Sequence, residues 1–280
     1  MERAGLHGMW ASVAERWGEH ADYVDARGAD TTAAMFDRTD LRSGDQVLEL
    51  ACGPGSVGLA AAALVAPDGE VVLSDVAEEM ARIAASRAEE LGVTNVSACV
   101  LDLEEIDRPD AAFDVVLCRE GLMFALDPAQ AVAEIHRVLR PGGRVAVAVW
   151  GPRERNPWLG LVLDAVGAQL GIPVPPPGIP GPFALADAGM LAGLLADAGL
   201  ADVEVGELAV PLHAVSFDAW WKRTSALAGP IASVVGALDA DASAALDARL
   251  REAVEPFTTD GGALDFPGVT LIASGRRAAD

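Results

Sequence analysis

The sequence has one tyrosine, four histidines and three cysteines in 280 residues, and Lys222 is its single lysine. Each shortage excludes something. Cys52, Cys99 and Cys118 are odd in number, widely spaced and form no C-x-x-C pair. Neither a disulfide framework nor a zinc site is expected, and a reducing cytoplasm is the natural compartment. The histidines share no metal-ligand spacing, so no metal is expected. No run of about 18 uncharged apolar residues occurs, which argues against a membrane span. The start, Met1-Glu2-Arg3-Ala4-Gly5, shows no apolar stretch of the kind a secretory signal needs. Positive charge is also scarce: 20 basic residues stand against 42 acidic ones, a net charge of −22. Such a chain repels phosphate backbones, so nucleic acid is a poor partner, and small neutral or cationic molecules fit better. The oligomeric state is not set by these features, and a homodimer stays open.

What is present is apolar and periodic. Half of the residues are hydrophobic, enough for a sizeable core. Residues 1–45 read as helical, with Leu6, Met9, Trp10, Val13 and Trp17 recurring at helical spacing. From Asp45 onward short apolar strands alternate with helices: strands at 45–50, 69–74, 96–100, 113–118 and 144–150, helices at 56–65, 78–91 and 128–139. Nearly continuous apolar strands are buried on both faces, so the sheet should be largely parallel and covered by helices. After Trp150 the pattern loosens. Helices are expected over 156–170 and 187–198, a stiff loop over Pro173–Pro182, and strands over 203–212 and 269–274. The roughly 50 residues between those last strands are too many for a hairpin and read as a helical addition. The expected organisation is a helical lid over 1–40, a ligand-binding core over 41–150, and a remainder over 151–280 with a helical insertion at about 213–262.

The first strand runs into Gly53-x-Gly55-x-x-Gly58, which opens a helix. Glycine lets the backbone turn sharply and approach a ligand closely. The spacing alone is weak, but acids stand in register around it. Glu49 precedes the turn, Asp75 ends the second strand 20 residues after Gly55, and Asp102-Leu103 follows the third. A carboxylate at Asp75 can accept hydrogen bonds from both ribose hydroxyls of a nucleoside. Asp102 can accept from an adenine amino group while apolar neighbours pack on the ring. Read alone, either acid could be only a turn or cap residue.

Glu49-Leu50-Ala51-Cys52-Gly53-Pro54-Gly55 resembles the first signature motif of class I S-adenosylmethionine-dependent methyltransferases. Leu73-Ser74-Asp75, Leu101-Asp102-Leu103, Phe113-Asp114-Val115-Val116 and Leu139-Arg140-Pro141-Gly142-Gly143-Arg144 resemble the later motifs, in order. The subgroup most similar is that of the ubiquinone/menaquinone-biosynthesis methyltransferases and bacterial small-molecule relatives. The likeness covers about residues 40–150. It implies a Rossmann-like, doubly wound α/β fold, with a mostly parallel seven-stranded sheet, the last strand antiparallel, helices on both faces and a small helical cap. It implies S-adenosylmethionine as cofactor and S-adenosylhomocysteine as product. Gly53, Gly55, Asp75 and Asp102 are then cofactor contacts, and so by extension are Glu49, Ala51, Cys52, Val76, Met80 and Leu103. Cys118, Arg119 and Glu120 would lie near the methyl group.

A nicotinamide dehydrogenase shares the glycine spacing and the acid. It needs a pyrophosphate over the helix N-terminus, whereas an acidic first motif suits a sulfonium. A cofactor-binding protein without methyl transfer, a cyclase or regulatory scaffold, is the other alternative, since fold does not fix chemistry. The expected reaction is methylation, at oxygen or carbon, of a small and rather apolar acceptor such as a quinone, phenol or polyketide-like natural product of secondary metabolism. Glu120 and Arg119 are the first candidates for catalysis. His213 is a candidate base, although a lone histidine is more often structural. Trp17 and Tyr23 are candidates for a lid, and Trp220 and Trp221 for an acceptor wall, each with core packing as an equal alternative.

Overall fold

Val47 and Leu48 are neighbours in β1 (Gln46–Glu49), and both are fully buried, in different cores. The same alternation runs through β4 (Phe113–Arg119) and β5 (Leu139–Trp150). Val115, Leu117, Ala146 and Ala148 join one core, while Val116, Cys118, Val145 and Val147 join the other. Successive strand residues point to opposite faces, so a strand apolar at every position needs helices on both sides. The computed structural model, which describes residues 3–279, has that arrangement. One face carries α3 (Ala21–Thr39), α4 (Ser56–Val65) and α5 (Glu78–Glu90). The other carries α6 (Pro128–Val138), α7 (Pro157–Leu170) and α8 (Ala188–Asp197). Two short helices, α1 (Arg3–Ala11) and α2 (Ala14–Glu19), precede α3.

The remaining strands of the central sheet are β2 (Glu70–Asp75), β3 (Val96–Val100), β6 (Leu200–Ala209) and β9 (Val269–Arg277), and their order is β3-β2-β1-β4-β5-β9-β6. β9 pairs antiparallel with β5 and β6, while the other pairings in the sheet are parallel. Gly58 shows how tightly α4 packs on this sheet. A Cβ there would stand 2.2 Å from the Leu73 side chain and 2.6 Å from Glu49 Oε2.

Two expectations change in detail. Arg140–Gly143 does not precede β5 but bulges out of it: Leu139 pairs with Phe113 and Arg144 with Val115, so four residues loop out opposite one. The strand expected at 203–212 starts earlier and breaks after Ala209, because Pro211 has no N–H to continue the ladder. Beyond the break, β7 (Leu212–Ala214) forms a separate ribbon with β8 (Leu264–Phe266). Between them lie α9 (Phe217–Leu227), α10 (Pro230–Gly236) and α11 (Ala240–Ala253). Among the described residues no helix is long and apolar enough to cross a membrane.

Candidate active site

The carboxyl ends of β1, β2 and β4 open onto one cavity of about 920 Å³, its mouth included. There the Gly turn reverses the chain, and Gly55 enters α4 with φ +87°. Gly53, Cys52 and Ala51 line the cavity, while Gly55 shapes the turn from behind and does not face it. Asp75, almost fully buried, holds this loop: it accepts from Gly53 N–H at 2.9 Å and from Ala77 N–H at 3.0 Å. Each carboxylate oxygen accepts more than one bond, so capacity remains for ligand hydroxyls. Burial raises the Asp75 carboxyl above its ordinary value, against the pull of these backbone bonds. Val76, Met80, Asp102 and Leu103 complete this side. Among the expected cofactor residues Cys118 is a correction. Its thiol is buried in the core away from the cavity, and burial pushes it up to about 12.

Glu49 sits at the base of the cavity and accepts from Gly58 N–H at 2.7 Å. Burial pushes its carboxyl up to about 8. Below about pH 4.5 the group is neutral in both folded and unfolded chain. Between there and pH 8 the unfolded chain gives up a proton that the folded chain keeps, so stability falls as pH rises. Over that window the loss approaches about 5 kcal/mol. Glu49→Gln should flatten the pH dependence of Tm between pH 5 and 8. A parallel pair of curves, measured by calorimetry, would show that Glu49 titrates normally.

The N-terminal helices close the cavity from above. Leu6, His7, Trp10 and Trp17 line it, and His7 Nε2 is 3.6 Å from Asp102 Oδ2. α3 is fastened to the Gly turn through Asp25, which accepts from Ser56 Oγ and pairs with Arg87 at 2.6 Å. Arg87 in turn donates to Pro54 O at 2.6 Å.

A second cavity, of about 1600 Å³ with its mouth, adjoins the first. Trp10, Trp17, Phe124, Arg119 and Glu120 line both, so they form the junction. Glu120 follows β4 with φ +60°, and Ala51 follows β1 with φ +53°. Two non-glycine residues in the left-handed region face each other's loops at one site, the kind of strain that collects at functional positions. Arg119 Nη1 donates to Thr32 Oγ1 at 2.8 Å and Gly28 O at 3.3 Å. That contact needs glycine at 28, since a Cβ there would stand 2.0 Å from Nη1.

The second cavity is walled by the proline loop, including Val174, Pro176 and Ile179, and by Tyr23 and Arg223. Trp150 and Trp158 lie on its other side, edge to face at 5.2 Å. Asn156, fully buried, sets this pair. Its Nδ2 donates to Gly151 O, Pro152 O and Val269 O, and its Oδ1 accepts from Val269 N–H and Trp158 Nε1. The Arg27 guanidinium lies over both indoles, 4.0 Å from the Trp158 centroid and 4.6 Å from that of Trp150.

Three expected residues are elsewhere. His213, in β7, is exposed and paired with Asp265 at 2.6 Å, because alternation in that short ribbon turns it to solvent. Trp220 is fully buried, packed on Phe217 and Phe266. Trp221 packs beside it and faces neither cavity. Conversely, the sequence reading passed over His7, Arg27, Trp150 and Trp158 as site residues. No local pattern marked them: Gly28, an isolated glycine in α3, makes room for Arg119, which was already a candidate.

Residues 41–156 match the protein family described as "Methyltransferase domain". The chain is 35% identical over 175 residues to the ubiquinone/menaquinone biosynthesis C-methyltransferase UbiE of Ralstonia nicotianae, a match spanning 57% of this chain and 71% of that protein. In structure it resembles the YcgJ protein of Bacillus subtilis, with TM-score 0.62 and 22% identity over 90% of this chain and all of that one. It also resembles the [4+2]-cyclase SpnF, with TM-score 0.56 and 22% identity over 90% and 81% of the two chains. At such identities these structural likenesses speak to the fold.

Proposed function

Because the chain belongs to the class I S-adenosylmethionine-dependent methyltransferases, we propose that it methylates, at oxygen or carbon, a small and largely apolar acceptor seated in the second cavity. The observation that carries this reading is the junction: an acidic cavity at the strand ends meets a larger apolar one at Arg119 and Glu120.

The residues present fit the cofactor by the chemistry of the donor set. Asp75, Asp102, Glu104 and Glu120 line the first cavity against Arg119 and His7, with Glu49, which keeps its proton up to about pH 8, at the base. That excess of acid suits a sulfonium cation better than a pyrophosphate. Asp75 would hold the ribose hydroxyls, Asp102 the adenine amino group, and Leu103 and Met80 the faces of the ring. When bound, S-adenosylmethionine supplies a methyl group on a positively charged sulfur. The chain's own task is alignment and exclusion of water, and well-oriented alignment is worth up to about 7–11 kcal/mol. Trp10, Trp17 and Phe124 exclude water at the junction. Glu120 takes up the proton that an O–H or C–H acceptor releases.

Isothermal titration with S-adenosylhomocysteine and turnover of a labelled methyl donor on phenols and quinols test this reading. Glu120→Gln should lower turnover by roughly 10²–10⁴-fold while S-adenosylhomocysteine affinity stays within about threefold. NADH binding tightly where S-adenosylhomocysteine does not bind would overturn the proposal. Cofactor binding without transfer to any acceptor would favour a non-methylating role.

A further inference from the structure

The charge of the whole chain and the charge of the second cavity have opposite signs. The protein carries −22 overall, yet among the described residues the charged groups lining this cavity are the cations Arg27, Arg119 and Arg223 against the acid Glu120. Arg119 is engaged by Thr32 and Gly28, and Arg223 lies over the Tyr23 ring at 3.8 Å. Arg27 differs from both. Its guanidinium is stacked on two indoles, and its buried Nη2 makes no hydrogen bond among the described residues. A buried cation is costly unless it is paired. Burial accordingly pulls Arg27 below its ordinary value, and Glu120 is the charge that most opposes this. Stacking stabilises a guanidinium through its faces, but its N–H edge asks for an oxygen, and a planar fork suits an anionic one.

We propose that the second cavity selects an apolar acceptor bearing an anionic oxygen, a carboxylate or an ionised enol or phenol, which the Arg27 guanidinium binds against the Trp150–Trp158 pair. The net charge of the chain had pointed to neutral or cationic molecules. The local field reverses that preference where the acceptor sits. The proposal rests on the reading of the second cavity as the acceptor site, and it names what that site prefers. Arg27 is a specificity-determining residue here, held on α3 one turn from Tyr23, which lines the same cavity.

Three flat probes test it on the full chain by calorimetry, each with and without S-adenosylhomocysteine: 2-naphthoate, 2,4-dinitro-1-naphtholate and the neutral 2-naphthamide. The wild type should bind at least one anion ten or more times more tightly than the amide. A preference for naphthoate alone assigns a carboxylate, and one for the naphtholate alone assigns an ionised enol or phenol. Arg27→Met should remove the preference by lowering anion affinity at least tenfold, with amide and S-adenosylhomocysteine affinities within about twofold. Should that variant fail to fold, the wild-type comparison still decides, and Arg27→Lys, which keeps charge without the planar fork, should lose most of the preference. Equal affinity for all three probes, or an equal loss for anion and amide in Arg27→Met, overturns the proposal. Anion binding that depends on Arg27 in a protein that ignores S-adenosylhomocysteine would sustain this inference while refuting methyl transfer.

Discussion

Asp75→Ala should weaken S-adenosylhomocysteine binding at least a hundredfold in isothermal titration. The carboxylate lies at the end of β2 with only 7% of its surface exposed and reaches Gly53 N–H at 2.9 Å. Its proposed remaining partners are the two ribose hydroxyls. Hydrogen bonds to a charged group are each worth about 1.5–3 kcal/mol, so losing two corresponds to roughly two to four decades of affinity. Alanine also frees the Gly53 amide and loosens the turn that shapes the cavity. Asp75→Asn separates these effects, since it keeps an acceptor for Gly53 N–H while losing the charge. It should fall between the wild type and Asp75→Ala. Affinity of Asp75→Ala within threefold of wild type would move the ribose site elsewhere.

Trp220→Ala should lower stability by about 3–5 kcal/mol, or Tm by about 10 °C for a chain of this size. Trp220 has no exposed surface, and its ring lies 5.4 Å from Phe266 and 5.6 Å from Phe217. It therefore ties α9 to β8 and closes the inserted helices onto the ribbon. Because it touches neither cavity, S-adenosylhomocysteine affinity measured well below Tm should change less than about threefold. Thermal unfolding and titration on the same preparation check both halves. A large loss of affinity with Tm unchanged would restore Trp220 to the binding wall. His213→Ala is the companion measurement: an exposed contact of this kind, charged or neutral, contributes about 0–1 kcal/mol, so Tm should move by no more than about 3 °C.

The two variants mark how far the sequence could be read. Trp220-Trp221 is visible as an aromatic pair at the start of a helix, but helical periodicity says only that one face is buried. It does not say whether that face meets a ligand cavity or Phe266, which lies more than 40 residues on in the chain. His213 failed for a related reason. The break at Pro211 starts a new ribbon, and alternation restarted from there points the side chain outward.

Local chemistry is what the sequence determined alone. A strand, a turn containing Gly53 and Gly55, and a helix are contiguous, so their order and the acids in register at Glu49, Asp75 and Asp102 could be read directly. Parallel strands then bring those acids to one edge, because every such strand ends on the same side of the sheet. The tertiary structure alone decided what comes together from distant parts of the chain. It laid Arg27 of α3 over Trp150 and Trp158, brought His7 of α1 within 3.6 Å of Asp102, and turned Cys118 into the core. Those outcomes depend on how helices pack across a sheet, a choice made by the summed burial of many side chains. No local pattern encodes it, which is why the lining of the first cavity could be read from the sequence and that of the second had to be seen in three dimensions.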